Sequence, residues 1–127
     1  MCAIAGIFSK SEGVDKQELE RMCERMKLRG PDRGALYAGK QVGLGHRRLS
    51  VIDLSTGDQP MFSRDRNVVI VFNGEIYNFR ELRQKLEAQG QVFVTQSDTE
   101  VILNGYRLYG MEGILRQLEG MFAFALY

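Results

Sequence analysis

A chain of 127 residues, 44% of them apolar, suits a single globular domain with a real core. Its formal charge of +1 gives no electrostatic footprint for nucleic acid or an anionic membrane surface. No leader pattern and no apolar run of ~20 residues is visible, the two cysteines do not make a disulfide framework, and a lone histidine, His46, cannot supply a multi-ligand metal cluster, so a reducing cytoplasm is the expected home.

The chain opens MCAIAGIF, in which Cys2 to Phe8 alternates loosely and predicts a strand. Asp15 and Glu18 form a capping signal for a helix over 15–28, whose apolar face carries Leu19, Met22, Cys23 and Met26, with Gly30 as its stop. "ALYAGKQVGLGHRRL" predicts two strands around Gly39-Lys40. Val68 to Phe72 predicts a buried strand that ends in a turn at Asn73-Gly74. Asn78 with Glu81 caps a helix reaching Gln89 and stopped by Gly90, "QVFVT" predicts a short strand, and Ser97 with Glu100 caps a helix ending near Gly110, followed by a short helix over 114–118. The run MFAFALY predicts a strand buried on both faces, and its abrupt stop predicts a chain that continues in a longer protein. Mixed strands and helices predict an α+β layered fold.

Four stretches carry chemistry. If Met1 is removed, as a small second residue permits, Cys2 holds both a thiol and an α-amine, a nucleophile with its own base. A buried structural thiol is the commoner reading of an isolated cysteine, and Cys23 on an apolar helix face fits it. "RGPDRG" alone is ordinary turn chemistry. In "GHRRLSVIDL", adjacent strand residues face opposite ways, so one of Arg47 and Arg48 points inward and needs an anion, unless the two form a solvated surface pair. His46 reads as structural, and a Ser50–His46–Asp53 triad has no nucleophile elbow to support it. "FNGEIYN" ends a strand with an amide, an unshielded N–H and a carboxylate. Asn73 and the Gly74 N–H would make an oxyanion hole, or the segment is a turn and a helix cap; likewise "SDTE" is explained by a cap alone.

Taken in order, MCAIAGIF, RGPDRG, HRRLSVIDLSTGDQPM, FNGEIYN and SDTE resemble the class II, N-terminal-nucleophile glutamine amidotransferases over the whole chain. Within them the chain is most similar to the glutaminase domain of glutamine-hydrolysing asparagine synthetases, because RGPD is followed by RLSVID. The resemblance implies a four-layer α/β/β/α sandwich of the N-terminal-nucleophile hydrolase type, incomplete here, with residues 1–127 forming a truncated glutaminase domain and a synthetase domain lying beyond it. It implies Cys2 as nucleophile and its α-amine as base, Asn73 and Gly74 as the oxyanion hole, and Arg48 on the glutamine α-carboxylate. Backbone groups of Leu49, Ser50, Val51 and Ile52 would line the site, and Glu75 and Asp98 would receive the α-ammonium. One cation and two carboxylates match a free zwitterionic amino acid.

L-Glutamine is thus the expected partner, with no nucleic acid and no membrane, and no cofactor or metal in this chain. ATP and Mg²⁺ are expected in the synthetase domain, which the resemblance gives an aspartate carboxylate to activate. The ammonia acceptor stays open, since the same branch includes amidotransferases of other acceptors, such as surface polysaccharides. A non-catalytic fragment is the remaining alternative, favoured by a retained Met1. The apolar last strand would leave an unpaired edge and is expected to drive self-association, as in a homodimer.

Overall fold

Which way each strand faces is decided by alternation and by where glycine falls. In the computed structural model, which describes residues 2–50 and 55–127, β1 (Ala3–Phe8), β2 (Arg33–Ala38) and β3 (Val42–Arg48) form an antiparallel sheet in the order β1-β3-β2. Along β3, Gly43 and Gly45 face α1 (Lys16–Arg25). A Cβ on Gly45 would stand 2.2 Å from Cys23 Sγ. The missing side chains are therefore what admits Leu19 and Cys23, the two buried residues of the helix. Leu44, His46 and Arg48 take the opposite face, and all three are buried.

The second sheet, in the order β4-β5-β6, consists of β4 (Met61–Phe62), β5 (Val69–Ile76) and β6 (Gly120–Leu126), again antiparallel. Ile70, Phe72 and Ile76 of β5 pack with Leu82 and Leu86 of α2 (Phe79–Ala88) and with Val101, Ile102 and Leu103 of α3 (Thr99–Leu115). Val69 and Val71 point the other way, onto Leu44 of the first sheet. The order is helix, sheet, sheet, helices, the four-layer α/β/β/α arrangement. Among the described residues no helix is long and apolar enough to cross a membrane.

Several local expectations are corrected. Asp15 does cap α1, its side chain accepting from the Glu18 N–H at 3.1 Å, but the helix ends at Arg25 and Gly30 is not its stop. Gly30 is where the loop crosses β3, since a Cβ there would lie 2.3 Å from the Arg47 carbonyl carbon. Asn73 and Gly74 are not a turn. β5 runs through them, paired with Ala123 and Phe122, and Gly74 takes φ +156° with Met121 O only 2.2 Å from where its Cβ would be. Asn78 makes no side-chain cap; its amide instead donates to Gln117 O and accepts from the Glu119 N–H, tying α2 to the approach of β6. Gly90 does stop α2, at φ +85°, with the Gly90 and Gln91 N–H groups closing back on Glu87 O and Leu86 O.

"QVFVT" is not a strand, because its N–H groups are taken by a side chain. Those of Val94 and Thr95 donate to the Glu100 carboxylate at 2.9 and 2.8 Å. Gly110, at φ +72°, breaks α3 into two helical pieces as the sequence predicts, but the second ends at Leu115 rather than spanning 114–118. β6 pairs with β5 on one side and has no second strand among the described residues, so Met121 is exposed rather than buried between two layers.

His46 joins the two sheets. It is 1% exposed, and its Nε2 lies 3.1 Å from Phe72 O. A carbonyl only accepts, so the ring carries its proton on Nε2 and is neutral. Burial pushes its pKa down from 6.5 to about 4; Arg48 adds to the effect, while the bond to Phe72 and the charge of Asp58 oppose it. The unfolded chain therefore binds the extra proton between pH 6.5 and 4, and stability falls as pH falls through that window. The shift is worth ~3 kcal/mol. Burial raises the pKa of Asp98, which works in the opposite sense and offsets part of the loss. His46→Gln keeps a donor without a titration. Its unfolding free energy should depend less on pH between 7 and 4 than that of the native chain, by ~3 kcal/mol in chemical denaturation. Parallel profiles would show that His46 is not buried neutral.

Candidate active site

The register of β5 determines what its two edges present. Val69 and Tyr127 exchange backbone bonds of 2.8 and 2.9 Å, and the Tyr77 N–H donates to Glu119 O at 2.7 Å. Odd-numbered residues of β5 thus face β6, and even-numbered ones direct N–H and C=O to the other edge. There β4 is only two residues long and pairs with Val69 and Ile70. Beyond it, side chains replace the missing strand. The Phe72 N–H donates to Gln59 Oε1 at 2.5 Å, Phe72 O accepts from His46, and the Ile76 N–H donates to Asp98 Oδ2 at 3.1 Å. Between them lies Gly74, whose N–H has no partner among the described residues.

At that gap opens a cleft of about 90 Å³, lined by Cys2, Arg48, Leu49, Gln59, Gly74 and Asp98 among others. It is small, on the scale of one amino acid rather than of the ~300–1,000 Å³ pockets that hold drug-sized ligands. Cys2 precedes β1, whose Ala3 pairs with Arg47. The Cys2 thiol meets the backbone of Leu49, accepting from its N–H at 3.4 Å and donating to its C=O at 3.5 Å. The "RGPD" segment holds that backbone still. The Asp32 N–H donates to Arg48 O at 3.0 Å, Asp32 Oδ2 accepts from the Ser50 N–H at 2.7 Å, and Arg47 Nε donates to Gly30 O at 3.0 Å. What reads as a turn is a brace for the strand end beside the thiol.

The paired arginines do face opposite ways. Arg47 reaches back to Gly30, while Arg48 is 5% exposed and its Nη1 donates to Asp58 Oδ1 at 2.7 Å. Asp58 also takes Arg33, so the acceptor that an inward arginine requires comes from the protein itself. Across the cleft, Glu75 is exposed and Asp98 buried. Burial raises the Asp98 pKa, with Glu75 adding and the bonds from Ile76 and Thr99 opposing. An incoming cation would relieve both carboxylates.

Not every expected residue joins the cleft. Ser50 is turned to Asp32 and does not line it, and Val51 and Ile52 lie outside the described residues. Asn73 stands beside the lining, on the same face of β5 as Val69 and Val71. Its Oδ1 is buried with no hydrogen-bond partner among the described residues, an unmet group of the kind that marks functional sites. Cys23 sits away from the cleft, its pKa raised by burial, and is an inert core thiol. Gln59, Asp58 and Thr99 escape sequence reasoning. The one signal for Gln59 is its place in "GDQPM", a polar residue between turn residues and a strand start.

Comparison with known proteins follows the same lines. The chain matches the family described as "Glutamine amidotransferase domain" over residues 1–127. It is 45% identical to asparagine synthetase [glutamine-hydrolyzing] 1 of Bacillus subtilis, covering 100% of this chain and 21% of that protein. It is 44% identical to asparagine synthetase B [glutamine-hydrolyzing] of Escherichia coli, covering 100% of this chain and 23% of that protein. The chain therefore spans about a fifth of the length of these curated relatives. Among solved structures, the glutamine phosphoribosylpyrophosphate amidotransferase of B. subtilis, in complex with ADP and GMP, is similar with a TM-score of 0.59. That match has 29% identity and covers 71% of this chain and 22% of that one. The likeness of fold to an N-terminal-nucleophile amidotransferase and the match of the whole sequence agree, and the chain belongs to the glutamine amidotransferase domain family.

Proposed function

We propose that this domain hydrolyses free L-glutamine to glutamate and ammonia through a γ-glutamyl thioester on Cys2. The observation that carries the reading is that the Cys2 thiol and Gly74, whose peptide N–H has no partner among the described residues, line one cleft at the open edge of β5. Removal of Met1 frees the Cys2 α-amine, which titrates near ~8 and can take the thiol proton. The Leu49 N–H, 3.4 Å from Sγ, holds the sulfur in place beside the cleft. Attack on the γ-amide carbon puts negative charge on its oxygen, where the Gly74 N–H donates and the Asn73 amide NH₂ joins it. Collapse expels the amide nitrogen as ammonia, which takes its extra proton from the Cys2 α-ammonium. Water then attacks the thioester by the same route, giving glutamate and the free thiol.

Arg48 receives the substrate α-carboxylate, sharing its planar fork with Asp58, while Glu75 and Asp98 hold the α-ammonium. A peptide-bound glutamine lacks both charges and would leave those groups unmet. The relatives are glutamine-hydrolysing asparagine synthetases by name, which supports the reading that the ammonia serves amide synthesis at a second site; that this site uses ATP and Mg²⁺ on an aspartate carboxylate is part of the proposal.

The glutamine analogue DON, a diazoketone, should label Cys2 and spare Cys23 in protein lacking Met1, as read by intact and peptide mass. Labelling that persists in Cys2→Ala would overturn the nucleophile assignment, and Met1-retaining protein should be inert. The kinetic variants separate binding from chemistry. Arg48→Lys keeps the charge and loses the fork, so KM for glutamine should rise by ~10-fold or more while kcat changes less. Asn73→Ala should lower kcat by ~10²-fold with little change in KM. If both variants changed KM alone, the oxyanion role of Asn73 would be wrong.

A further inference from the structure

Gln59 has a place that its neighbours do not explain by packing. It is a buried amide at the mouth of the cleft, and both of its ends are used. Oε1 accepts from the Phe72 N–H at 2.5 Å, and Nε2 donates to Thr99 Oγ1 at 3.4 Å, at the start of α3. Phe72 is the last even-numbered residue of β5 before Gly74, and its C=O is held by His46.

We propose that Gln59 is a positioning residue for the oxyanion hole: by pinning the Phe72 peptide where β4 stops, it fixes the direction of the Gly74 N–H one step along the same edge. The inference rests on the reading of Gly74 as an oxyanion donor. Its physical basis is the pitch of the strand. Two residues separate the pinned peptide from the reacting one, and they share a single edge, so a rotation of the Phe72 plane carries directly to Gly74. Glycine gives position 74 no side chain to resist such a rotation, and its φ of +156° lies where other residues would be strained. Asp98 holds the next even peptide, at Ile76, so the donor is clamped on both sides by side chains rather than by a strand. The same Gln59 ties this edge to Thr99, whose neighbour Asp98 faces the substrate ammonium, which couples the two halves of the cleft. Each end of the Gln59 amide already has a protein partner, Phe72 on one side and Thr99 on the other.

Steady-state glutaminase kinetics of the full protein, with Met1 removed, test this with Gln59→Leu and Gln59→Glu. Gln59→Leu removes the acceptor at nearly constant volume and should lower kcat by ~10- to 10²-fold, with KM within about twofold of native. Gln59→Glu retains an oxygen for the Phe72 N–H and should recover most of the lost kcat. Amide hydrogen exchange gives a readout independent of activity: the Phe72 N–H should be protected in the native protein and in Gln59→Glu and should exchange faster in Gln59→Leu. If Gln59→Leu does not fold, Gln59→Met, unbranched and of equal length, makes the same comparison. A native kcat in the Leu or Met variant, alongside a lowered kcat in Asn73→Ala, would overturn the role of Gln59 and leave the oxyanion hole standing. A rise in KM equal to the loss in kcat/KM would also overturn it, because that is lost binding. A native kcat in Asn73→Ala would instead overturn the oxyanion assignment on which the proposal rests.

Discussion

A strand with a full partner on one side only must still satisfy the peptide groups on its other side, since a buried N–H or C=O left unmet costs about 1–3 kcal/mol. In β5 that requirement is met residue by residue. Met61 takes the position opposite Ile70, Gln59 and His46 take the two polar groups of Phe72, and Asp98 takes the N–H of Ile76. Each substitute comes from a different part of the chain, so the edge gathers β3, β4, the approach to β4 and the start of α3 around one point. The unfilled position on that edge, Gly74, is where the cleft lies. The site is therefore less an addition to the fold than a place where the sheet is deliberately short of a strand.

The second sheet-forming strand of the site, β3, contributes by facing. Its outer face has glycines at 43 and 45 so that α1 can come close, and its inner face carries His46 and Arg48 into the space between the sheets. His46 stays there as a neutral ring because burial disfavours its charged form and Phe72 O meets its Nε2 proton. Arg48 survives as a cation because Asp58 meets it. The brace from Asp32 and Gly30 then sets the Leu49 backbone against Cys2, so that the thiol's surroundings are fixed by main-chain bonds rather than by another side chain's rotamer.

Much of this was legible in the sequence where local chemistry decides structure. The Asp15 cap, the Gly90 stop, the break at Gly110 and the two-strand unit around Gly39-Lys40 each follow from residues within a few positions. The opposition of Arg47 and Arg48 follows from strand alternation alone. The failures are those in which a distant partner overrides a local signal. Asn73-Gly74 has turn composition, yet β6 captures it into the ladder, and Gly74 serves close approach instead. "QVFVT" has strand composition, yet Glu100 takes the N–H groups of Val94 and Thr95, and Leu86 O takes that of Gln91. Gln59 has only its place in "GDQPM" as a signal and none for its role, because its partners Phe72 and Thr99 lie 13 and 40 positions away. Resemblance located the candidate residues; only the fold showed that Asn73 flanks the cleft, that Ser50 turns from it, and that Asp58 shares Arg48.

On the proposed mechanism the developing oxyanion sits in the gap at Gly74. The most direct measurement is a crystal structure of the protein, free of Met1, with Cys2 captured by the γ-aldehyde analogue of glutamine, whose tetrahedral adduct carries an oxygen in the place of the oxyanion. The account predicts that oxygen at ~2.7–3.1 Å from the Gly74 nitrogen, with the Asn73 amide as second donor. It also predicts the α-carboxylate on Arg48 and the α-ammonium between Glu75 and Asp98. An adduct oxygen turned to the Leu49 N–H or to solvent, with the Gly74 N–H still unmet, would contradict it.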